Sequence, residues 1–307
     1  MRLKPYLALL PMLALAACAS SGDYLLFHPE NLIATQEWHA TIVDTVVMML
    51  VILPVLLVIV WFGWRYRAGA NAKHDPDWSH NTALELLVWG VPLLIVGGLG
   101  WYTVKTLYAI EPYNPGLLQK QIAADPQNVL HVDVIATDWQ WIFVYPQQKI
   151  ATIDQLVVPQ GAVVKFNLTS ASVSNDIYVP QLLPMIAVMP GMRTKDTFDA
   201  PKLGQWTGFA ADFSGAGFSW MQFDTKIVSP ADFTAWVQKA AASPDQLSYA
   251  TFQKLAQPHA NIGAKISYFS NPDPQLFEKV VAAAQAGVVY PVSAALTKSI
   301  ASNETEK

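Results

Sequence analysis

The chain has 307 residues with a mean hydropathy of +0.26, and 52% of them are hydrophobic and 14% charged, against about 25% charged in an ordinary soluble domain. The length suits about two domains, the charge deficit puts part of the chain in lipid, and a net charge of −4 excludes a basic nucleic-acid footprint. Cys18 is the single cysteine, which excludes an intrachain disulfide and any Cys–Cys metal cluster, and none of the six histidines lies between His131 and His259.

Residues 1–17 read as a signal peptide: Arg2 and Lys4 at the start, an apolar run over Leu7–Ala17, and small residues before Cys18. Leu15-Ala16-Ala17-Cys18 resembles a bacterial lipoprotein box, so Cys18 is the expected site of lipid attachment. An ordinary signal peptide cut beside a chance cysteine is the alternative.

Residues 18–110 are expected to form a transmembrane hairpin. Thr45–Trp64 is uncharged for twenty residues, enough for a helix to cross about 30 Å of hydrocarbon. Pro54 inside it is tolerated in a spanning helix. The second span is expected over about 84–104, its uncharged run bracketed by Glu85 and Lys105. Trp61, Trp64, Trp101 and Tyr102 fall near the ends, where amphipathic rings favour the interface. The connecting loop carries Arg65, Arg67 and Lys73, whereas Cys18–Asp44 has no Lys or Arg and contains Asp23, Glu30, Glu37 and Asp44. The positive-inside rule then puts the loop in the cytoplasm and both ends outside.

Residues 111–229 are expected to be an external β-domain. HVDVIATDWQWIFVY from His131 reads as strand material, and KIATIDQLVVPQGAVVKFNLTS as two strands joined by a turn at Pro159-Gln160-Gly161. NDIYVP, MIAVMPGM, DTFDA, WTGFAADF and WMQFDTKIVS follow as short strands, a spacing that suits a sandwich or barrel. Over 230–307 the periodicity turns helical, in ADFTAWVQKAAA, SYATFQKLA and PQLFEKVVAAAQAG, and predicts a short helical C-terminal extension ending in a polar tail.

Two spans followed by an external sandwich opened by Asp138-Trp139-Gln140-Trp141 resemble subunit II of the haem–copper terminal oxidases. Trp64–Ala68, Trp78–Asn81, Leu84–Pro92 and Tyr268–Phe277, together with the lipoprotein start and helical tail, resemble the copper-free quinol-oxidase branch, the bacterial cytochrome bo-type ubiquinol oxidases in particular. The resemblance implies a cupredoxin-like Greek-key β-sandwich held on the outer face of the inner membrane. It implies subunit I and further small membrane subunits as partners, with the haems and copper in subunit I and ubiquinol as the donor. Nucleic acid and cytochrome c are not expected partners.

In the cytochrome c oxidase branch of that family the sandwich holds a dinuclear copper centre on a His before a V-P turn and a C-x-E-x-C-x-x-x-H-x-x-M run. Shared thiolates and imidazoles suit copper, and oxygen donors do not replace them there. The upstream His position is Asn175, four residues before Val179-Pro180. The later positions are Ala210, Asp212, Ser214, Phe218 and Met221, and only Met221 keeps a ligating side chain. Residues 132–258 contain no Cys and no His, so no alignment can place a Cys/His copper site there. This chain is therefore expected to bind no metal and no cofactor. Trp139 and Trp141, at the family's tryptophan pair, are expected to pack under the sandwich.

No catalytic residue is expected on this chain beyond Glu85, seven residues before Pro92 at the cytoplasmic mouth of the second span. The matching acid of related oxidases stands where a proton-uptake channel opens. The alternative is a carboxylate that only marks a helix start, favoured there by the helix dipole. The expected function is a structural and assembly subunit of a proton-translocating quinol:O2 oxidoreductase, reducing O2 to water. A free-standing, membrane-tethered degenerate cupredoxin module is the rival.

Overall fold

The structure is a computed structural model that describes residues 25–70, 80–258 and 266–291. The signal peptide, Cys18, residues 78 and 79 of the Trp78–Asn81 motif and the polar tail lie outside the described residues.

Helix α1 spans Leu32–Arg65 and helix α2 spans Thr82–Ile110. Both outlast the apolar runs that announce them. Asn31 starts α1 by accepting a hydrogen bond from the Ala34 N–H at 2.8 Å, and Asn81 starts α2 by accepting one from Leu84 at 3.0 Å. Nothing between Leu32 and Thr45 breaks a helix, so α1 continues outward to meet the sandwich, where Ile33 and Ala34 are buried. Along the spans the apolar side chains point outward: Leu57 is 69% exposed, Leu86 75% and Trp89 78%. Side chains of this kind need lipid or a partner around them.

After α2 a short helix, α3 (Gln119–Ala124), leads into the sandwich, which has eleven strands among the described residues. They are β1 (Val129–Ala136), β2 (Trp141–Tyr145), β3 (Ile150–Ile153), β4 (Gln155–Pro159), β5 (Val163–Ser170), β6 (Asn175–Val179), β7 (Leu183–Val188), β8 (Thr194–Asp199), β9 (Gly204–Ala210), β10 (Gln222–Val228) and β11 (Ser267–Ser270). Helices α4 (Pro230–Ala241), α5 (Tyr249–Leu255) and α6 (Leu276–Gln285) complete the elements of the described residues. One sheet runs β11-β3-β2-β1-β5-β8 and the other β4-β10-β9-β6-β7, with β1–β5 and β4–β10 parallel.

The segment 149–170, expected to hold two strands, holds three. Residues Ile153 to Gln155 carry the chain from one sheet to the other, with Asp154 between them at φ +55. The two layers are tied there by Tyr145, whose hydroxyl donates to the Val157 carbonyl and accepts from the Val157 N–H.

Strand β2 is buried at every position because its sheet is covered on both faces. Trp141, Phe143 and Tyr145 face the second sheet, while Ile142 and Val144 face a separate core with Phe252, Leu276, Phe277 and Val281. Periodicity over 230–307 predicts helices alone, but β11 pairs antiparallel with β3, Tyr268 opposite Thr152. The C-terminal extension thus supplies an edge strand and a second core to the sandwich.

Candidate functional site

The six positions that the copper motif would occupy gather at one end of the second sheet. Strand β6 starts at Asn175 and pairs with β9 through Ile177 opposite Ala210. The Ala211 N–H donates to the Asp176 carbonyl at 2.9 Å, and the Ala210 N–H to the Met221 carbonyl at 3.0 Å. Asn175, Ala210 and Met221 are therefore brought together by backbone pairing, and the β9–β10 loop carries Asp212, Ser214 and Phe218 over them.

Their side chains do not fit a thiolate-bridged copper pair. Ala210 and Phe218 offer only carbon. Phe218 packs on the sandwich core and on Phe213, with ring centroids 5.6 Å apart. Asn175 is fully buried, and its Oδ1 has no hydrogen-bond partner among the described residues. The Ser214 hydroxyl is likewise enclosed and unpartnered. Met221 contributes one buried thioether, and Asp212 is exposed. Burial and, second, the charge of Asp212 hold the neighbouring Asp176 carboxyl above the usual range.

The tryptophan pair separates into two roles. Trp141 is fully buried and meets Phe223 edge-on at 5.9 Å. Trp139, at φ +108, lies under the β9–β10 loop and donates from its indole Nε1 to the Ser214 carbonyl at 3.1 Å. Gly217 sits so close to that indole that a Cβ would stand 2.3 Å from Cδ2. The loop is closed by an aromatic plug.

At the opposite end of the molecule, Glu85 lies in the first turn of α2. Its Oε1 is 2.6 Å from His80 Nδ1, and both side chains are more than half exposed. The sequence places Glu85 at this mouth but gives no sign that His80, five residues earlier, meets it.

Two buried carboxyls lie outside every motif of the sequence. Asp154 occupies the sheet-crossing turn, 5% exposed, and burial pushes it up to about 7 even though the Trp141 N–H donates to it. Asp196 on β8 is 1% exposed, and burial holds it well above the ordinary range. In the sequence both fall inside strand runs, Asp154 in the one before Pro159-Gln160-Gly161 and Asp196 in DTFDA, and only a three-dimensional neighbourhood reveals their burial.

A family model described as COX Aromatic Rich Motif matches residues 241–283, the stretch that builds the outer core of α5, β11 and α6. Ubiquinol oxidase subunit 2 of Acetobacter aceti is 40% identical over 247 residues, 80% of this chain and 78% of that protein. Cytochrome bo(3) ubiquinol oxidase subunit 2 of Pseudomonas putida is 36% identical over 281 residues, covering 91% of this chain and 85% of the relative. The same-named subunit of Buchnera aphidicola subsp. Baizongia pistaciae is 38% identical over 282 residues, 91% of this chain and 96% of its own. Among solved structures, the periplasmic domain of subunit II of cytochrome oxidase of Bradyrhizobium japonicum is 22% identical at a TM-score of 0.34, covering 36% of this chain and 91% of that one.

Proposed function

The chain belongs to the ubiquinol oxidase subunit 2 family, and from that premise we propose that it is the membrane-anchored, copper-free subunit II of a quinol-oxidising terminal oxidase. The complex oxidises ubiquinol and passes the electrons to O2, forming water, while protons are moved across the membrane. The haems, the copper and the quinol site belong to other subunits, subunit I above all. This chain contributes assembly and packing.

The observation that carries the reading is the donor set at the sandwich end. Carbon side chains at Ala210 and Phe218, an amide at Asn175 and a hydroxyl at Ser214 replace every thiolate and imidazole that a copper pair needs. A sandwich without a redox centre cannot pass electrons from a soluble cytochrome. Electrons must then enter from a donor dissolved in the membrane. The test is the oxygen consumption of the complex purified through this chain. Ubiquinol is expected to sustain turnover and reduced cytochrome c is not; turnover on cytochrome c alone would overturn the reading.

Domain limits of 18–110, 111–229 and 230–307, the lipid on Cys18 and a periplasmic sandwich belong to the same proposal. Charge asymmetry supports the orientation, with Arg65 and Arg67 at the inner end of α1 and Glu37 and Asp44 towards its outer end. Glu85 is proposed as the proton-uptake carboxylate at the cytoplasmic mouth of α2. The support is its position at the helix start, with His80 as an imidazole within hydrogen-bond reach. A carboxylate in water's reach at the edge of a span can take up a proton and pass it inward.

A further inference from the structure

We propose that the cavity on the outer face of β9 and β10, beside the β3–β4 turn, is a binding site for a small organic cation, a linear aliphatic amine held by the Asp154 and Asp224 carboxylates against the Trp220 indole. The cavity has a volume of about 270 Å³, and Asp154, Thr207, Ser219, Trp220, Gln222 and Asp224 line it. It adjoins the same β9–β10 loop that carries the altered copper-motif positions, and the family role uses none of these six side chains.

Asp154 is the anchor of the argument. Its backbone is fixed on both sides: its N–H donates to the Trp141 carbonyl at 2.8 Å, and its carbonyl accepts from the Asp224 N–H at 3.0 Å. Oδ1 accepts from the Trp141 N–H at 2.7 Å. Oδ2 takes no hydrogen bond among the described residues and is not sealed in the core, so it is the oxygen that meets the cavity. The tie to Trp141 needs one acceptor only, and an Asn would supply it without a charge. A carboxylate 95% withdrawn from water is costly unless a cation meets it, and here the open oxygen faces a cavity large enough to bring one.

The remaining walls suit an alkylammonium. Asp224 supplies a second carboxylate, with Lys226 Nζ at 3.8 Å. Trp220 is 46% exposed, and an indole face attracts a cation. Apart from Asp224 and Lys226 on β10, the strands around Asp154 (β2, β3, β4, β9 and β11) carry no charged side chain. Ammonium ends can reach the carboxylates while a methylene chain lies along the indole. Because burial pushes Asp154 up to about 7, the site gains its charge across the neutral range.

The test uses the full-length chain in detergent and radiolabelled putrescine in equilibrium dialysis. Saturable binding of one putrescine per chain is expected at pH 8. Affinity is expected to fall about tenfold at pH 6, since a group titrating near 7 goes from about nine-tenths to about one-tenth ionised. Asp154→Asn, which keeps an acceptor for Trp141, is expected to lose at least about tenfold in affinity and the pH dependence. Asp224→Asn is expected to bind more weakly with the pH dependence intact. Absence of saturable binding, an Asp154→Asn protein that binds like the parent, or displacement by Mg²⁺ at concentrations below that of putrescine would overturn the assignment.

Discussion

Glu85 and Asp154 are both acids at a boundary, yet only one is visible in the sequence. Glu85 interrupts an apolar run, so its place at the mouth of a span is legible from hydropathy alone. Asp154 sits between Ile153 and Gln155 in what reads as a single strand, and its burial depends on Trp141, thirteen residues away, and on β10, seventy residues away. Each makes a prediction. Glu85→Gln is expected to slow oxygen reduction several-fold with haem content and assembly unchanged, and Glu85→Asp to retain more activity because it keeps a titratable group. Parental turnover in Glu85→Gln would reduce the residue to a helix start. For Asp154 the folded group titrates at about 7, above its ordinary 3.8. The protonated form is therefore favoured by folding, and the stability it contributes is full below about pH 4 and lost as pH rises through about 7. At 1.36 kcal/mol per unit, the difference amounts to about 4 kcal/mol. Asp196 acts in the same direction, its burial outweighing the Thr197 N–H that donates to it. The thermal midpoint of the assembled complex should thus fall between pH 5 and pH 8, and Asp154→Asn should flatten that fall. An unchanged slope would contradict the burial assigned to the carboxyl.

Among the elements, the strands from β5 to β10 were legible because each is a short β-rich run set off by turn residues. What could not be read was the pairing. The outward extension of α1 is one case, since its reason lies in distant residues. Asn31 Nδ2 donates to the Leu182 carbonyl at 2.7 Å and to the Asp199 carbonyl at 3.0 Å, while the Leu32 N–H is shared by the two Asp199 carboxylate oxygens. Asn31 thus caps the helix and, with the Leu32–Asp199 bond, ties the hairpin to the sandwich. Asn31→Ala is expected to cost about 1 kcal/mol as a helix cap, and more with the two lost carbonyl contacts, measured as a lower thermal midpoint. Strand β11 is the other case. Ser267-Tyr268-Phe269-Ser270 is four residues long and bounded by serines, too short to show alternation, and it becomes a strand because β3 presents an open edge. Gln155 then joins the layers, its Oε1 accepting from Trp236 Nε1 at 3.2 Å and from the Tyr268 hydroxyl at 2.9 Å. Phe252, fully buried among Leu276, Phe277 and Val281, is the centre of the outer core. Phe252→Ala is expected to destabilise the protein by about 3–5 kcal/mol, seen as early exposure of the C-terminal helices to proteolysis.

At the scale of the whole molecule, a single chain joins a lipid-facing hairpin to a sandwich covered on one face by its own C-terminus. The proposed orientation is argued from charge and makes a prediction: in intact spheroplasts an Asn71→Cys protein should resist an impermeant thiol reagent and a Ser302→Cys protein should react. The reverse pattern would invert the proposed topology and remove the basis for proposing Glu85 as a proton-uptake carboxylate. The central claim is that the sandwich is a scaffold with no electron-carrying metal, which rests on the side chains at Asn175, Ala210, Asp212, Ser214, Phe218 and Met221. Copper content of the full-length purified chain, measured after incubation with copper and removal of loosely held ions, tests it most directly. Copper at background level is expected, and about two tightly bound copper ions per chain would contradict the claim.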